Sequence, residues 1–535
     1  MSALTSRLTF FAVLLMGLAV FLAVPNPASA QVTAFKQAVA EAAARDEALA
    51  KFYKGRGYEP IWTGKSNKDR QRRNAFFKAL DKAPSHGLPM GQYDPNALKA
   101  KIKAAKTERD RGMLEVELSK AFLNYARDIQ TGILVPSKVD SGIVRQVPYR
   151  DRLALIDTFS RSTPGAWLKK LQPQTTEYVR LMKVKMDLEK QLGRGGYGPK
   201  VQAKSLKPGQ SGAAVVQLRD RLRVIGFAKR RASQTYDAEL QKAVQQFQLA
   251  HGLSPDGVAG PGTIAEINKP AEARLQSVMV AMERERWINR SRGKRHVVVN
   301  LTDFTAKIID NGKVTFETRS VVGKNERGRR SPEFSDVMEF MVINPSWYVP
   351  RSIATKEYLP LLRKNRNAVS HLEITDSKGR RISRNSVNFA SYTAQTFPFN
   401  MRQPPSRGNA LGLVKFMFPN PYNIYMHDTP AKDLFGREVR AYSHGCIRLN
   451  DPFDFAYAIL AKEVSNPEAF FQAKLSTGEE TYVNLKKPIP VHIIYRTAFT
   501  TAKGRTQFRR DVYGRDAKIW NAMAREGVVL RAVRG

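Results

Sequence analysis

The feature that most restricts the architecture is a change of hydrophobic period at His296. Upstream, apolar residues recur at helical spacing, as over 32–53, 111–129 and 175–192. Downstream, Val297-Val298-Val299-Asn300-Leu301 and Ala306-Lys307-Ile308-Ile309-Asp310 read as strands, and Asn311-Gly312 is a hairpin turn. A segment patterned for one period cannot bury its apolar face in the other, so a helical part precedes a β-rich part. With 535 residues the chain also exceeds what one core encloses, and several domains are expected.

Residues 1–30 read as an export leader: Arg7, an apolar run over 8–24, and Ala28-Ser29-Ala30 before Gln31. The alternative is an uncleaved inner-membrane anchor. A helical domain fills 31–200 and ends in the linker Gly193-Arg194-Gly195-Gly196-Tyr197-Gly198-Pro199. Three short helices are expected within 205–268, then one linking helix in 269–293. The β-rich domain spans 294–500, with further strands at 315–322, 338–343, 413–418, 423–427, 482–485 and 491–495. Within it, 354–405 is an insertion, read as a lid beside the site. The remainder, 501–535, is rich in Arg and Lys and reads as basic surface.

The formal net charge is +40. No nucleic-acid-binding motif accompanies it, so for an exported protein the expected polyanions are the cell-wall mesh and lipid headgroups. Seven histidines include no His-x-His pair, and neither a metal nor a cofactor is expected. Cys446 is the single cysteine, so no internal disulfide can form and a reactive thiol becomes the reading to weigh. It lies in Tyr442-Ser443-His444-Gly445-Cys446-Ile447-Arg448-Leu449-Asn450-Asp451-Pro452, with His427 nineteen positions upstream. A nearby imidazole, turn N–H groups and the N-terminus of a helix starting at Pro452 all favour a thiolate. His444 and His427 both compete for the role of base.

The pattern His427, fifteen residues, Ser443-His444-Gly445-Cys446 resembles the active-site signature of the L,D-transpeptidases, whose catalytic domain is of the YkuD type. Asn344-Pro345-Ser346-Trp347-Tyr348-Val349-Pro350, Gly408-Asn409-Ala410-Leu411-Gly412 and Lys415-Phe416-Met417-Phe418-Pro419-Asn420 extend the likeness. Asp256, Gly257, Gly260 and Thr263 resemble the helical peptidoglycan-binding module. The resemblance implies an α+β multidomain protein: a helical scaffold, a three-helix peptidoglycan-binding bundle and a β-rich catalytic domain carrying the lid. It implies Cys446 as nucleophile, His427 as general acid/base, the Gly445 backbone in an oxyanion hole and His444 shaping the pocket. Ser443, Arg448, Asn409, Thr429 and Trp347 are the candidate substrate contacts.

The implied reaction takes peptidoglycan tetrapeptide stems through a Cys thioester and forms 3→3 cross-links in the periplasm, with carbapenems as inhibitors. Transfer of the stem to an outer-membrane protein is the alternative acceptor chemistry. Two further readings are a Cys-dependent hydrolase and a non-catalytic wall-binding protein. Papain-like and NlpC-like hydrolases place the nucleophile before its histidine, opposite to the order here.

Overall fold

A computed structural model describes residues 33–501 and 506–534; the leader expected at 1–30 lies outside the described residues. The helix expected over 32–53 is two, Ala34–Ala43 and Glu47–Gly55, because Asp46 caps the second by accepting from the Leu49 N–H. These pack with Asn67–Asp81, Glu108–Thr131 and Arg152–Arg161 around a core in which Trp62, Phe76, Phe122 and Phe159 contact one another. Three helices, Ala213–Ile225, Ala238–Ala250 and Pro261–Ile267, enclose a separate small core around Leu222, Leu240 and Phe247.

Residues 506–534 are not basic surface alone. In the helix Arg515–Arg525, Ile519, Ala522 and Met523 fall at helical spacing and are buried against Thr176–Gly193 and Ala271–Trp287. Two of its basic residues have their charges matched from outside the helix: Arg515 pairs with Glu333 at 3.3 Å and Lys518 with Asp140 at 2.6 Å. Arg509 reaches both Asp303 (2.5 Å) and the Ala250 carbonyl (3.0 Å), tying the small bundle to the β-rich unit.

The strands are β1 (Arg295–Asn300), β2 (Thr305–Asp310), β3 (Lys313–Gly323), β4 (Phe334–Ile343), β5 (Trp347–Tyr348), β6 (Glu373–Thr375), β7 (Asn400–Gln403), β8 (Val414–Met417), β9 (Met426–His427), β10 (Ala441–Ser443), β11 (Ile447–Leu449) and β12 (Thr481–Ile494). Asn311 and Gly312 both take positive φ in the β2–β3 turn, as the hairpin signal required. The principal sheet runs β10-β3-β11-β9-β8-β4-β12-β1-β2, and a further β2–β3 pairing closes it on itself. Closure leaves no long open edge and encloses Val297, Ile308, Met341, Phe416, Met426 and Ile447. The strands expected at 482–485 and 491–495 are one, β12, whose register shifts between Asn484 and Ile489, where Pro488 has no N–H to give.

The insertion begins earlier than expected. β5, β7 and β6 form their own three-stranded sheet, and Trp347, Leu359, Leu362, Ile374, Phe389 and Met401 form its core. It is a packed unit with its own core.

Candidate active site

β9 and β11 pair in parallel, with Met426 opposite Ile447 and His427 opposite Arg448. Met426, Ile447 and Leu449 fill the closed sheet. Side chains alternate along a strand, so His427 and Arg448 take the outer face, together with Tyr425 and Cys446 two positions before each. Lys415 joins them as the antiparallel partner of His427. The ladder therefore carries the two histidine and cysteine motifs to one surface, against which the insertion packs through Tyr425.

The turn before the thiol is held from within. Gly445 has φ 124°, open to glycine at little cost. Ser443, buried, donates from Oγ to the Cys446 carbonyl at 2.5 Å and accepts the Gly445 N–H at 3.1 Å. Ser443 is thus a brace for the turn. The Gly445 N–H expected in the oxyanion hole is already taken, whereas the Cys446 N–H makes no hydrogen bond among the described residues. Ser331 Oγ donates to the Gly445 carbonyl at 2.6 Å and fixes the turn from the β3–β4 loop.

Electrostatics correct the expectation of a resting thiolate. Burial pushes the Cys446 thiol up to about 11, opposed by Tyr425, through its backbone and hydroxyl, and by the Arg448 guanidinium. The thiol donates to the Asn423 carbonyl at 3.5 Å, and no hydrogen bond joins it to His427 among the described residues. The helix Pro452–Leu460 does begin after Asp451 with Pro452 first. His427 is buried; desolvation and the neighbouring Arg448 lower it to about 3. Its Nδ1 meets the Asp428 carbonyl at 2.5 Å, and the Leu411 carbonyl also favours a proton on the ring. Thiol and imidazole are both neutral at rest, so proton removal must accompany attack on substrate.

Arg448 is half-buried beside the sulfur, and its Nε has no hydrogen-bond partner among the described residues. A desolvated guanidinium in that state suits an incoming anion. Three other expected substrate contacts have partners within the protein. Asn409, fully buried, gives Nδ2 to the Gln403 and Pro404 carbonyls (3.1 and 2.9 Å) and accepts from Leu411 N–H. Thr429 is buried and accepts the Ala431 N–H at 3.2 Å, closing a local turn. Trp347 packs edge-on against Tyr358 inside the insertion core. His444 is exposed, and its Nε2 meets Glu357 Oε1 at 2.8 Å.

Two residues at the site were not singled out from sequence. Tyr425 had a usable signal, since it sits two positions before His427 on the same strand face. Glu357 had none, because only the folded insertion brings it to the catalytic turn.

Residues 294–478 match the "L,D-transpeptidase catalytic domain" family, 211–267 a "Putative peptidoglycan binding domain", and 47–184 a "Scaffold domain". A Haemophilus influenzae protein named "Putative L,D-transpeptidase" is 30% identical over 225 residues, covering 42% of this chain and 45% of that relative. The chain therefore spans less than half the length of the relative it matches. Among solved structures, an L,D-transpeptidase from Xylanimonas cellulosilytica (16% identity, 56% of this chain, 98% of that one) and one from Stackebrandtia nassauensis (13%, 56%, 97%) are similar, at TM-scores of only 0.17 and 0.21.

Proposed function

Since residues 294–478 belong to the L,D-transpeptidase catalytic domain family, we propose that this chain cross-links peptidoglycan stems through a thioester on Cys446. The observation that carries the reading is the parallel register of β9 on β11, which sets His427 and Cys446 on one outward face with Arg448 opposite His427.

Cys446 Sγ attacks the carbonyl between the third stem residue and the terminal D-alanine, while its proton passes to the His427 imidazole. The oxyanion accepts the unpaired Cys446 N–H, with the Tyr425 hydroxyl beside the sulfur. The C–N bond breaks, D-alanine leaves with the proton from His427, and a thioester remains. The side-chain amine of a second stem's third residue attacks the thioester, gives its proton to His427 and releases the thiol, forming a 3→3 link. Arg448 binds a stem carboxylate. The helical module within 205–268 retains the polymer, and the leader at 1–30 places the enzyme in the periplasm. Carbapenems acylate the same sulfur. An outer-membrane protein amine is the alternative acceptor.

Incubation with tetrapeptide muropeptides, followed by mass spectrometry, tests this. Cross-linked dimers that vanish in Cys446→Ala are expected. Tripeptide monomers alone would instead mean hydrolysis, and unchanged substrate would remove the proposal.

A further inference from the structure

Three segments distant in sequence converge beside the thiol. Glu357 lies in the π-helical turn Ala354–Tyr358 of the insertion, between the helices Arg351–Ile353 and Leu359–Lys364. Its neighbours Ala354, Thr355 and Leu359 are buried in the insertion, while Glu357 itself is one-third exposed and projects toward the catalytic domain. Its Oε1 accepts from His444 Nε2 at 2.8 Å, one residue before Gly445, and from Arg329 Nη2 at 2.6 Å. Arg329 sits in the β3–β4 loop that also supplies Ser331 to the catalytic turn, and it holds Glu326 at 3.0 Å with its other nitrogen. One carboxylate oxygen therefore ties the insertion to both walls of the turn that carries Cys446. A π-turn inserts one residue into a helix and redirects the side chains after it, and such turns gather at functional sites.

We propose that Glu357 is a positioning residue. By holding His444 and Arg329 it fixes the insertion against the Cys446 turn and so forms one wall of the cleft that receives the donor stem. The inference rests on the transpeptidase reading only for its substrate. The contact also assigns the His444 tautomer when that ring is neutral, with the proton on Nε2 and the lone pair on Nδ1. Glu357 touches neither the reacting atoms nor Cys446, so its loss acts on access and binding rather than on the chemical step.

The full chain is compared as native, Glu357→Ala, Glu357→Gln and Arg329→Gln, first by the rate at which iodoacetamide alkylates Cys446 at pH 8 and then by transfer kinetics on tetrapeptide muropeptide. Glu357→Ala is expected to raise alkylation at least threefold, and to raise KM at least fivefold with kcat changed less than twofold. Glu357→Gln keeps an acceptor oxygen and returns both values to within twofold of native, whereas Arg329→Gln reproduces the alkylation increase. Native alkylation and native KM in Glu357→Ala would overturn the proposal, as would a fall in kcat at constant KM or a Glu357→Gln as altered as the alanine. The alkylation arm reads the contact even if no transfer occurs with any variant, so failure of the transpeptidase reading is seen separately.

Discussion

Replacing Tyr425 by Phe isolates one hydroxyl at the nucleophile. The ring stays: it packs on the insertion and lies 5.6 Å from the His427 ring, and phenylalanine fills the same space. What is lost is the hydroxyl that favours the charged sulfur against a burial that holds the thiol near 11. A hydrogen bond to a charged acceptor contributes about 1.5–3 kcal/mol. At about 1.4 kcal/mol per pKa unit, the thiol should rise by about one to two units. Below its pKa the thiolate fraction then falls about ten- to a hundredfold. The more basic sulfur is intrinsically more nucleophilic, and with a Brønsted slope of about 0.4–0.5 this restores about three- to eightfold. Ionisation wins, and the net rate should fall about three- to tenfold. Iodoacetamide alkylation of Cys446 between pH 7 and 10, followed by intact mass, measures it. A Tyr425→Phe variant alkylated at the native rate or faster would refute the placement of the hydroxyl and the neutral resting thiol together.

Arg448→Gln removes the guanidinium whose Nε has no hydrogen-bond partner among the described residues; KM for the donor stem should rise about ten- to a hundredfold, the worth of one charge-assisted pair, checked by steady-state transfer kinetics. His86, His251 and His427 are held near 3 and His492 near 4 by burial, whereas unfolded histidine titrates near 6.5. The unfolded chain thus binds protons that the folded one refuses. Their stabilising effect is full above about 6.5 and is lost as pH falls toward 3–4, by about 1.4 kcal/mol per unit for each histidine. Urea titrations at pH 7.5 and 5 should show the midpoint falling, and an unchanged midpoint would contradict it. Ile519→Ala, at a fully buried position, should lower stability by about 2–5 kcal/mol in the same assay, although it lies far from Cys446 in sequence.

Much of this molecule was legible from periodicity and spacing. The switch at His296 marks the start of the closed sheet, and the two-residue rhythm that placed Met426 inward also placed His427 outward. What could not be read was set by burial. The features that suggest a thiolate, an imidazole and a helix N-terminus, are local and visible in the chain, but desolvation is a property of everything packed above the sulfur. Asn409 and Thr429 misled for a related reason: polar residues in a motif near the site serve the loop's own carbonyls and N–H groups. The strongly basic final segment misled because charge was taken to mean water, whereas Glu333 and Asp140 wait within the fold for Arg515 and Lys518.

That last arrangement bears on how the protein is made. Arg284 and its partner Asp516 stand 232 positions apart, and the helix Ala271–Trp287 lacks one of its walls until residues 515–528 are synthesised. Contacts of such separation form slowly, and an apolar face left open meanwhile invites association with other chains. Such a polypeptide gains from being shielded from its neighbours during synthesis, since the helical half stays unfinished until the final turns arrive.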